Sequence, residues 1–452
     1  MGRRSRSRTL NAWINGLLVG QWIIPASGAM EFRYDSGWIA SQQGRPLSLS
    51  LPFNFDGRPL KGAEVGYYFD NLLPDSDPIR RRLQAKFHTE SQDAFDLLEA
   101  IGRDCVGAIQ LLPENKTSDD VFTIQAEPLD DAQVEQRLIS AVTPSGPLGK
   151  SLADCDEDDF RISIAGAQEK TAFTWHDGRW CRPLGATPTT HIFKLPLGLV
   201  GARQADMHTS IENEWLCAQL LRAYGLPVAN CDIQNFGAKK VLVVERFDRR
   251  LAGDGSYWLR LPQEDFCQAL GRPSSAKYET DGGPGVIEIC KLLATSDTPS
   301  EDIGTFLCCQ LIFWMLAATD GHAKNFSIHL LPQGRYRLTP LYDVLSVWPI
   351  VGSGPNQLDY KKLTLAMAMR GKNKHYELAT IQRRHFIETA KKYGFGETAM
   401  EAALEEIIVL TPKVIEEVGR KLPEGFPLQV FDSIAVGLGQ AARRLEFPAN
   451  VA

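Results

Sequence analysis

A strand-rich first half followed by a mainly helical second half predicts a mixed α/β (α+β) chain folded as two lobes. Two observations carry this. Between residues 160 and 244, short apolar and β-branched runs recur between turns containing Gly or Asp. After Asp265, apolar residues return at helical spacing, interrupted by one hairpin over 326–338. At 452 residues the chain is long enough for two or three folded units, at roughly 150 residues per domain.

The elements follow in order. Met1-Gly2-Arg3-Arg4-Ser5-Arg6-Ser7-Arg8 is basic and is expected as a disordered tail over 1–8, because no apolar core of signal-peptide length follows it. Strands are expected at 9–14 and 17–23, around Asn15-Gly16, a dipeptide suited to the positive φ angles of a two-residue hairpin. A strand is expected at 47–51 and a helix at 91–101, stopped by Gly102. Residues 9–150 thus read as an N-terminal α+β subdomain containing a polar loop or linker at 113–131. The acidic cluster 154–159 reads as a solvated loop. Residues 151–255 read as a β-rich part, with strands at 160–164, 170–175, 190–195 and 239–244. Its helix at 211–224 is stopped by Gly225 and Pro227. Residues 256–452 read as the helical lobe.

Composition excludes several classes. Net charge is -6, so the chain as a whole is not a generic nucleic-acid binder. No run of about 18 uncharged apolar residues is present, so no membrane-spanning helix is expected. The nine cysteines are odd in number and form no C-x-x-C pair, which fits buried free thiols in a reducing cytoplasm.

The chemistry concentrates at Asp320-Gly321-His322-Ala323-Lys324-Asn325. Four residues separate Asp320 from Asn325, the Asp-x-x-x-x-Asn spacing of a protein-kinase catalytic loop. An apolar helix is expected before it at 306–318, and a hairpin after it ends in Leu341-Tyr342-Asp343. Phosphoryl transfer needs a carboxylate to take the hydroxyl proton, and an amide oxygen and a second carboxylate to hold magnesium against the phosphates of ATP. Asp320, Asn325 and Asp343 supply these in order. His322 either lines the nucleotide site or satisfies a loop carbonyl, and Tyr342 is expected beside the nucleotide.

The remaining parts of a nucleotide site have candidates upstream. The small-residue turn 162–168 and the start of the returning strand, Ala165, Gly166, Ala167, Gln168, Glu169 and Lys170, are expected around the phosphates. Gly166 alone is present of the G-x-G-x-x-G pattern, and an ordinary hairpin turn is the competing interpretation. Lys194, a single charge in an apolar strand, is the candidate phosphate lysine. Glu214 is the candidate carboxylate that orients it, with Glu212 as competitor on the same helix. Glu245, Arg246 and Phe247, after an apolar strand, are the candidate adenine hinge.

These residues stand in longer blocks that resemble the HipA family of bacterial toxin kinases. The blocks are F-R-I-S-I-A-G-A-Q-E-K-T-A at 160–172, P-T-T-H-I-F-K-L-P at 188–196, V-E-R-F-D-R-R at 244–250, L-P-Q-E-D at 261–265, A-T-D-G-H-A-K-N-F at 318–326 and R-L-T-P-L-Y-D at 337–343. The resemblance is strongest from about 160 to 395 and weaker elsewhere. It implies a bilobed, protein-kinase-like fold with a lipid-kinase-like core, ATP and magnesium as cofactors, and serine/threonine kinase activity. The implied target is glutamyl-tRNA synthetase, and the implied partner is a HipB-like helix-turn-helix antitoxin, with which operator DNA is bound. Lys194, Asp320, Asn325 and Asp343 match the family's ATP lysine, base and magnesium ligands. Ser163 matches its autophosphorylated serine. Lys391 matches a DNA-contacting lysine. A nearby arginine of that surface is replaced by Gly394, with Lys392 as a substitute contact. Two rivals remain on sequence: a small-molecule kinase, which shares the Asp-x-x-x-x-Asn loop, and an inactive DNA-binding co-repressor, against which the intact Lys194, Asp320, Asn325 and Asp343 speak.

Overall fold

A computed structural model describes residues 7–118, 120–142, 168–201 and 203–446. The chain forms two compact units. The first comprises residues 1–195, 234–275 and 328–336, and the second comprises 196–233, 276–327 and 337–452. These units do not follow the expected segments 151–255 and 256–452, because side-chain contacts sort the chain differently. The helix Ser210–Ala223 joins the C-terminal helices: Trp215 packs on Phe426 at 5.7 Å and Tyr224 bonds the Thr411 hydroxyl at 2.7 Å. Residues 263–268 join the N-terminal region, where Gln268 Nε2 donates to the Tyr68 carbonyl at 3.0 Å.

In the first unit, a five-stranded antiparallel sheet runs in the order Leu60–Lys61, Glu31–Tyr34, Leu17–Ile24, Arg8–Ile14, Ile109–Pro113. The Asn15-Gly16 hairpin forms as expected, with φ of 47° and 81°. Trp22 stacks on Phe69 at 3.9 Å and anchors the core. Arg8 corrects the expected tail. It opens the first strand, pairs with Asp96 and Glu99 at 2.5 Å each, and covers the Phe95 ring. Residues 1–6 lie outside the described region. The expected strand 47–51 is a single Ser48–Leu51 bridge. Its backbone is satisfied by side chains instead: the Tyr34 hydroxyl accepts from Leu47 N, and Glu264 Oε1 accepts from Leu49 N. The helix expected at 91–101 occupies Ala94–Ile101 and ends at Gly102.

The second sheet has six strands in the order Cys231–Phe236, Lys239–Glu245, His191–Lys194, Lys170–His176, Arg179–Pro183, Ala126–Pro128. The expected linker 113–131 thus supplies an edge strand, a place where Pro128 needs no ladder donor. Phe173, Trp180 and Phe193 meet edge-on at 4.8 Å and pack with Val134 and Leu138 of the helix Asp131–Val142. The acidic cluster 154–159 and the strand expected at 160–164 lie outside the described residues.

Beside these sheets lies a fully buried charge cluster. Asp104 accepts from Arg246, Arg249 and Arg260, and Asp248 accepts from Arg246 and pairs with Arg249 at 3.2 Å. Burial alone pushes the Asp104 carboxyl up, but Arg249, Arg246 and Arg260 outweigh it and hold the carboxyl well below its usual range.

In the second unit, the helix Pro299–Met315 is buried over most of its surface, and Pro299 supplies its first-turn φ. The helices Glu397–Gly419 and Leu428–Glu446 pack against each other, where Gly419 admits the Phe431 ring. The ribbon Thr364–Arg370 with Lys374–Glu377 corrects the expectation of helix throughout the C-terminal part beyond one hairpin. Its backbone is claimed by neighbours: Ala368 N donates to Glu279 at 2.7 Å and Arg370 N to the Thr389 hydroxyl at 2.7 Å. The hairpin Ser327–Leu330 and Tyr336–Leu338 forms as expected; its residues 328–336 count with the first unit.

Candidate active site

The loop carrying Asp320 grows from the end of the helix Pro299–Met315. Ala317 turns the chain with φ of 48°, and Phe326 is clamped by Phe306 and Phe313 at 5.1 and 5.7 Å. Gly321 lies against Phe313; a Cβ there would stand 2.5 Å from the ring. Asn325 Nδ2 donates to the Asp320 carbonyl at 2.7 Å, closing the loop over a 3-10 turn at Ala323–Asn325. That bond orients the amide, so that Oδ1 is the atom left to meet a cation. The Asp320 side chain is 59% exposed, and its Oδ1 accepts from the Tyr278 hydroxyl. His322 is buried, with Nε2 3.9 Å from the same oxygen and its ring edge-on to Tyr278 at 5.0 Å.

Asp343 sits at φ of 60°, a left-handed conformation that a non-glycine residue holds only where its surroundings impose it. The flanking contacts do so. The Tyr342 hydroxyl donates to the Lys324 carbonyl at 3.0 Å and accepts from the Ser327 hydroxyl at 2.6 Å. Leu341 is bonded on both sides, its N to the Pro227 carbonyl and its carbonyl to Ala229 N. Asn213 closes a two-bond pair with the backbone of Ser346, at 2.7 and 2.9 Å. Asp320, Asn325 and Asp343 therefore stand on one hydrogen-bonded framework within the second unit. Glu212 and Glu214 are both buried on the helix Ser210–Ala223 of this unit.

The other candidates belong to the first unit. Lys194 is buried and stands directly opposite the half-buried Lys170 on the neighbouring antiparallel strand. Gln168 Nε2 donates to the Leu195 carbonyl at 2.6 Å, and Glu169 pairs with Arg82. Ser163, Ala165, Gly166 and Ala167 lie outside the described residues. At the expected hinge, Glu245 is exposed and Phe247 packs edge-on to His329 at 5.7 Å. Arg246 is a structural residue: its guanidinium lies in the buried cluster and its N–H donates to the Thr190 carbonyl at 2.9 Å. Nothing in the sequence near Arg246 announces Asp104, 142 residues away, as its partner.

The expected DNA-facing lysines lie at the end of the helix Arg383–Lys392. Both are exposed, but Lys391 pairs with Glu397 at 2.9 Å and Lys392 Nζ donates to the Gly371 carbonyl at 2.9 Å. No sequence pattern points to Tyr278 or Asn213; each matters through a contact with a distant part of the chain.

Among the described residues, no three His, Cys, Asp or Glu side chains gather as a metal cluster. Magnesium takes one or two carboxylates and otherwise relies on phosphate oxygens and water. Asn325 Oδ1 and the Asp343 carboxylate are hard oxygen donors of this kind.

A sequence model of the HipA-like C-terminal domain matches residues 162–415, over half the chain, and one of the HipA N-terminal domain matches residues 10–112. The chain belongs to the HipA family. This HipA-family chain is 33% identical over 415 residues to the candidate kinase Y4mE of Sinorhizobium fredii, covering 91% of this chain and 92% of that protein. It is 28% identical over 355 residues to the serine/threonine-protein kinase toxin HipA of Shewanella oneidensis, covering 76% of each. A solved Shewanella oneidensis structure, of HipA, HipB and operator DNA, matches with a TM-score of 0.78, 25% identity and 97% coverage of both chains. The α/β, kinase-like HipA fold expected from the sequence is the fold found. No helix among the described residues is long and apolar enough to cross a membrane.

Proposed function

We propose that this HipA-family chain is an ATP- and magnesium-dependent serine/threonine protein kinase acting as the toxin of a toxin–antitoxin pair. The observation that carries this is the framework joining Asp320 and Asn325 to the Asp343 turn through Tyr342. Kinase names among its relatives support it.

In this proposal Asp320 takes the proton of a serine or threonine hydroxyl as that oxygen bonds the γ-phosphorus. The bond from phosphorus to the bridging oxygen breaks, and ADP leaves with the electron pair. When bound, magnesium neutralises phosphate charge and polarises the transferred group. Asn325 and Asp343 are the residues assigned to hold it. Lys194 neutralises phosphate charge, and Lys170 adds a second cation on the adjacent strand. Residues 165–170 are the residues assigned to the phosphates from the sequence. Glu245 and Phe247 meet the base, with Arg246 contributing through its place in the fold. His322 and Tyr342 shape the site.

The finer assignments follow the family. The protein substrate is glutamyl-tRNA synthetase, Ser163 is autophosphorylated, and a HipB-like antitoxin binds the chain and joins it on operator DNA. Lys391 and Lys392 take part in that DNA contact, and the working compartment is the cytoplasm. The deciding experiment is intact mass with phosphopeptide mapping after incubation with ATP and magnesium, with and without purified glutamyl-tRNA synthetase. Phosphate on the synthetase and at Ser163 is the expected result. Absence of any magnesium-dependent transfer would overturn the kinase assignment, and transfer to Ser163 alone would overturn the substrate.

A further inference from the structure

We infer that Tyr278 is the positioning residue of the proposed base Asp320, an inference that rests on the kinase function just proposed. Tyr278 lies between two 3-10 turns, Ser274–Ala276 and Glu279–Asp281. Its hydroxyl donates to Asp320 Oδ1, and its ring meets the buried His322 ring edge-on, at an interplanar angle of 88°.

The segment that carries it is fastened on both sides. The carbonyl of Lys277 accepts from Ala323 N in the catalytic loop at 3.1 Å. The Tyr278 carbonyl accepts from Asp281 N at 3.0 Å and Gly283 N at 2.9 Å. The next residue, Glu279, accepts from Ala368 N at 2.7 Å and pairs with Lys374 at 2.9 Å. Two glycines permit this packing. A Cβ at Gly283 would lie 2.2 Å from the Ala276 carbonyl oxygen, and one at Gly285 would lie 2.4 Å from the Glu279 carboxylate carbon.

A largely exposed aspartate ordinarily samples several rotamers, and holding one costs conformational entropy. Tyr278 is fixed to the same loop and donates to one carboxylate oxygen. It therefore selects a rotamer and leaves Oδ2 for the acceptor hydroxyl. A hydroxyl acceptor and the Tyr278 hydroxyl ask for the same kind of contact, so the tyrosine sits on one oxygen and the substrate takes the other.

The test uses the full chain with ATP and magnesium, following phosphate release with water as acceptor. Water's oxygen bonds the γ-phosphorus, its proton passes to Asp320, and ADP and inorganic phosphate are the products. Tyr278→Phe should lower kcat about tenfold, the weight of one hydrogen bond to a charged group. It should leave the KM for ATP unchanged. A wild-type kcat in Tyr278→Phe overturns the inference. So does a higher kcat, the outcome for a tyrosine that blocks the acceptor. A thermal-unfolding cycle with Asp320→Ala reads the contact apart from activity: Tyr278→Phe should lower Tm less when Asp320 is absent. Equal Tm losses in both backgrounds overturn the inference whatever the turnover. Failure of the kinase proposal looks different: no magnesium-dependent turnover in the wild type, or an Asp320→Asn protein as active as the wild type.

Discussion

Tyr342 donates its hydroxyl to the carbonyl of Lys324 at 3.0 Å, and this bond ties the turn holding Asp343 to the loop holding Asp320 and Asn325. The Ser327 hydroxyl, 2.6 Å away, completes the junction. Tyr342→Phe should therefore cost about 1 kcal/mol of stability and raise the magnesium concentration needed for half-maximal ATP binding. Calorimetric titration of ATP at several magnesium concentrations measures this. An unchanged magnesium dependence would remove Tyr342 from the role.

Asp320→Asn should abolish phosphoryl transfer with the fold intact. A positioned base contributes about 100- to 10,000-fold, and the exposed Asp320 side chain is not part of the core. Circular dichroism and thermal unfolding should match the wild type while transfer to any acceptor is lost. Near-wild-type turnover would take the proton-accepting role away from Asp320.

Lys194→Ala should weaken ATP use, since it removes the cation proposed to neutralise phosphate charge, on the strand next to Lys170. ATP present at 100 times its Kd stabilises a binding protein by about 2.7 kcal/mol. The rise in Tm on adding ATP and magnesium should shrink sharply in the variant. An equal rise in both proteins would make Lys194 a structural charge.

Asp104→Asn should be severely destabilising. It leaves Arg246 and Arg249 buried with Asp248 as acidic partner and removes the carboxylate that pairs with the buried Arg260. Breaking a buried ion pair in this way costs about 3–5 kcal/mol. Chemical denaturation measures the loss. A change under about 0.5 kcal/mol, as at ordinary surface sites, would mean the cluster is not what holds the 246–260 region in place.

Stability should fall between mildly acidic and mildly alkaline pH because of Glu264. Burial pushes its carboxyl up to about 8, an effect that the Ser48 hydroxyl and Leu49 N–H offset only in part. Between its unfolded value near 4.5 and about 8, the folded state holds a proton that the unfolded state has released. The contribution is therefore fully present below pH 4.5 and is lost as pH rises to about 8. A tenfold change in proton affinity corresponds to about 1.4 kcal/mol, so the total is of the order of a few kcal/mol. Glu264→Gln should flatten this slope. Parallel stability curves for variant and wild type across that range would exclude Glu264 as its source.

Much of this protein follows from local chemistry. Asn15-Gly16 tolerates positive φ at both positions, so the first hairpin is written in two residues. The apolar surface of Pro299–Met315 and the stop at Gly225 are likewise local. The Asp320–Asn325 spacing is local too, because the amide must reach back to the Asp320 carbonyl within one loop. What local chemistry leaves open is which distant groups share a hydrogen bond. The strand expected at 47–51 gives way to a bridge because Tyr34 and Glu264, neither of them adjacent in sequence, satisfy its backbone.

The sequence by itself determined the α/β class, the first hairpin, the helices stopped at Gly102 and Gly225, and the residue types and spacing of the candidate site. These depend on side-chain periodicity, turn propensity and short loops, whose energetics are complete within a few residues. Only the tertiary structure decided that Arg246 serves a buried ion cluster with Asp104, that Tyr342 joins the Asp343 turn to the loop before it, and that Tyr278 holds Asp320. Each is a polar contact between segments far apart in the chain, and its energy depends on mutual burial and orientation that exist once the chain has folded.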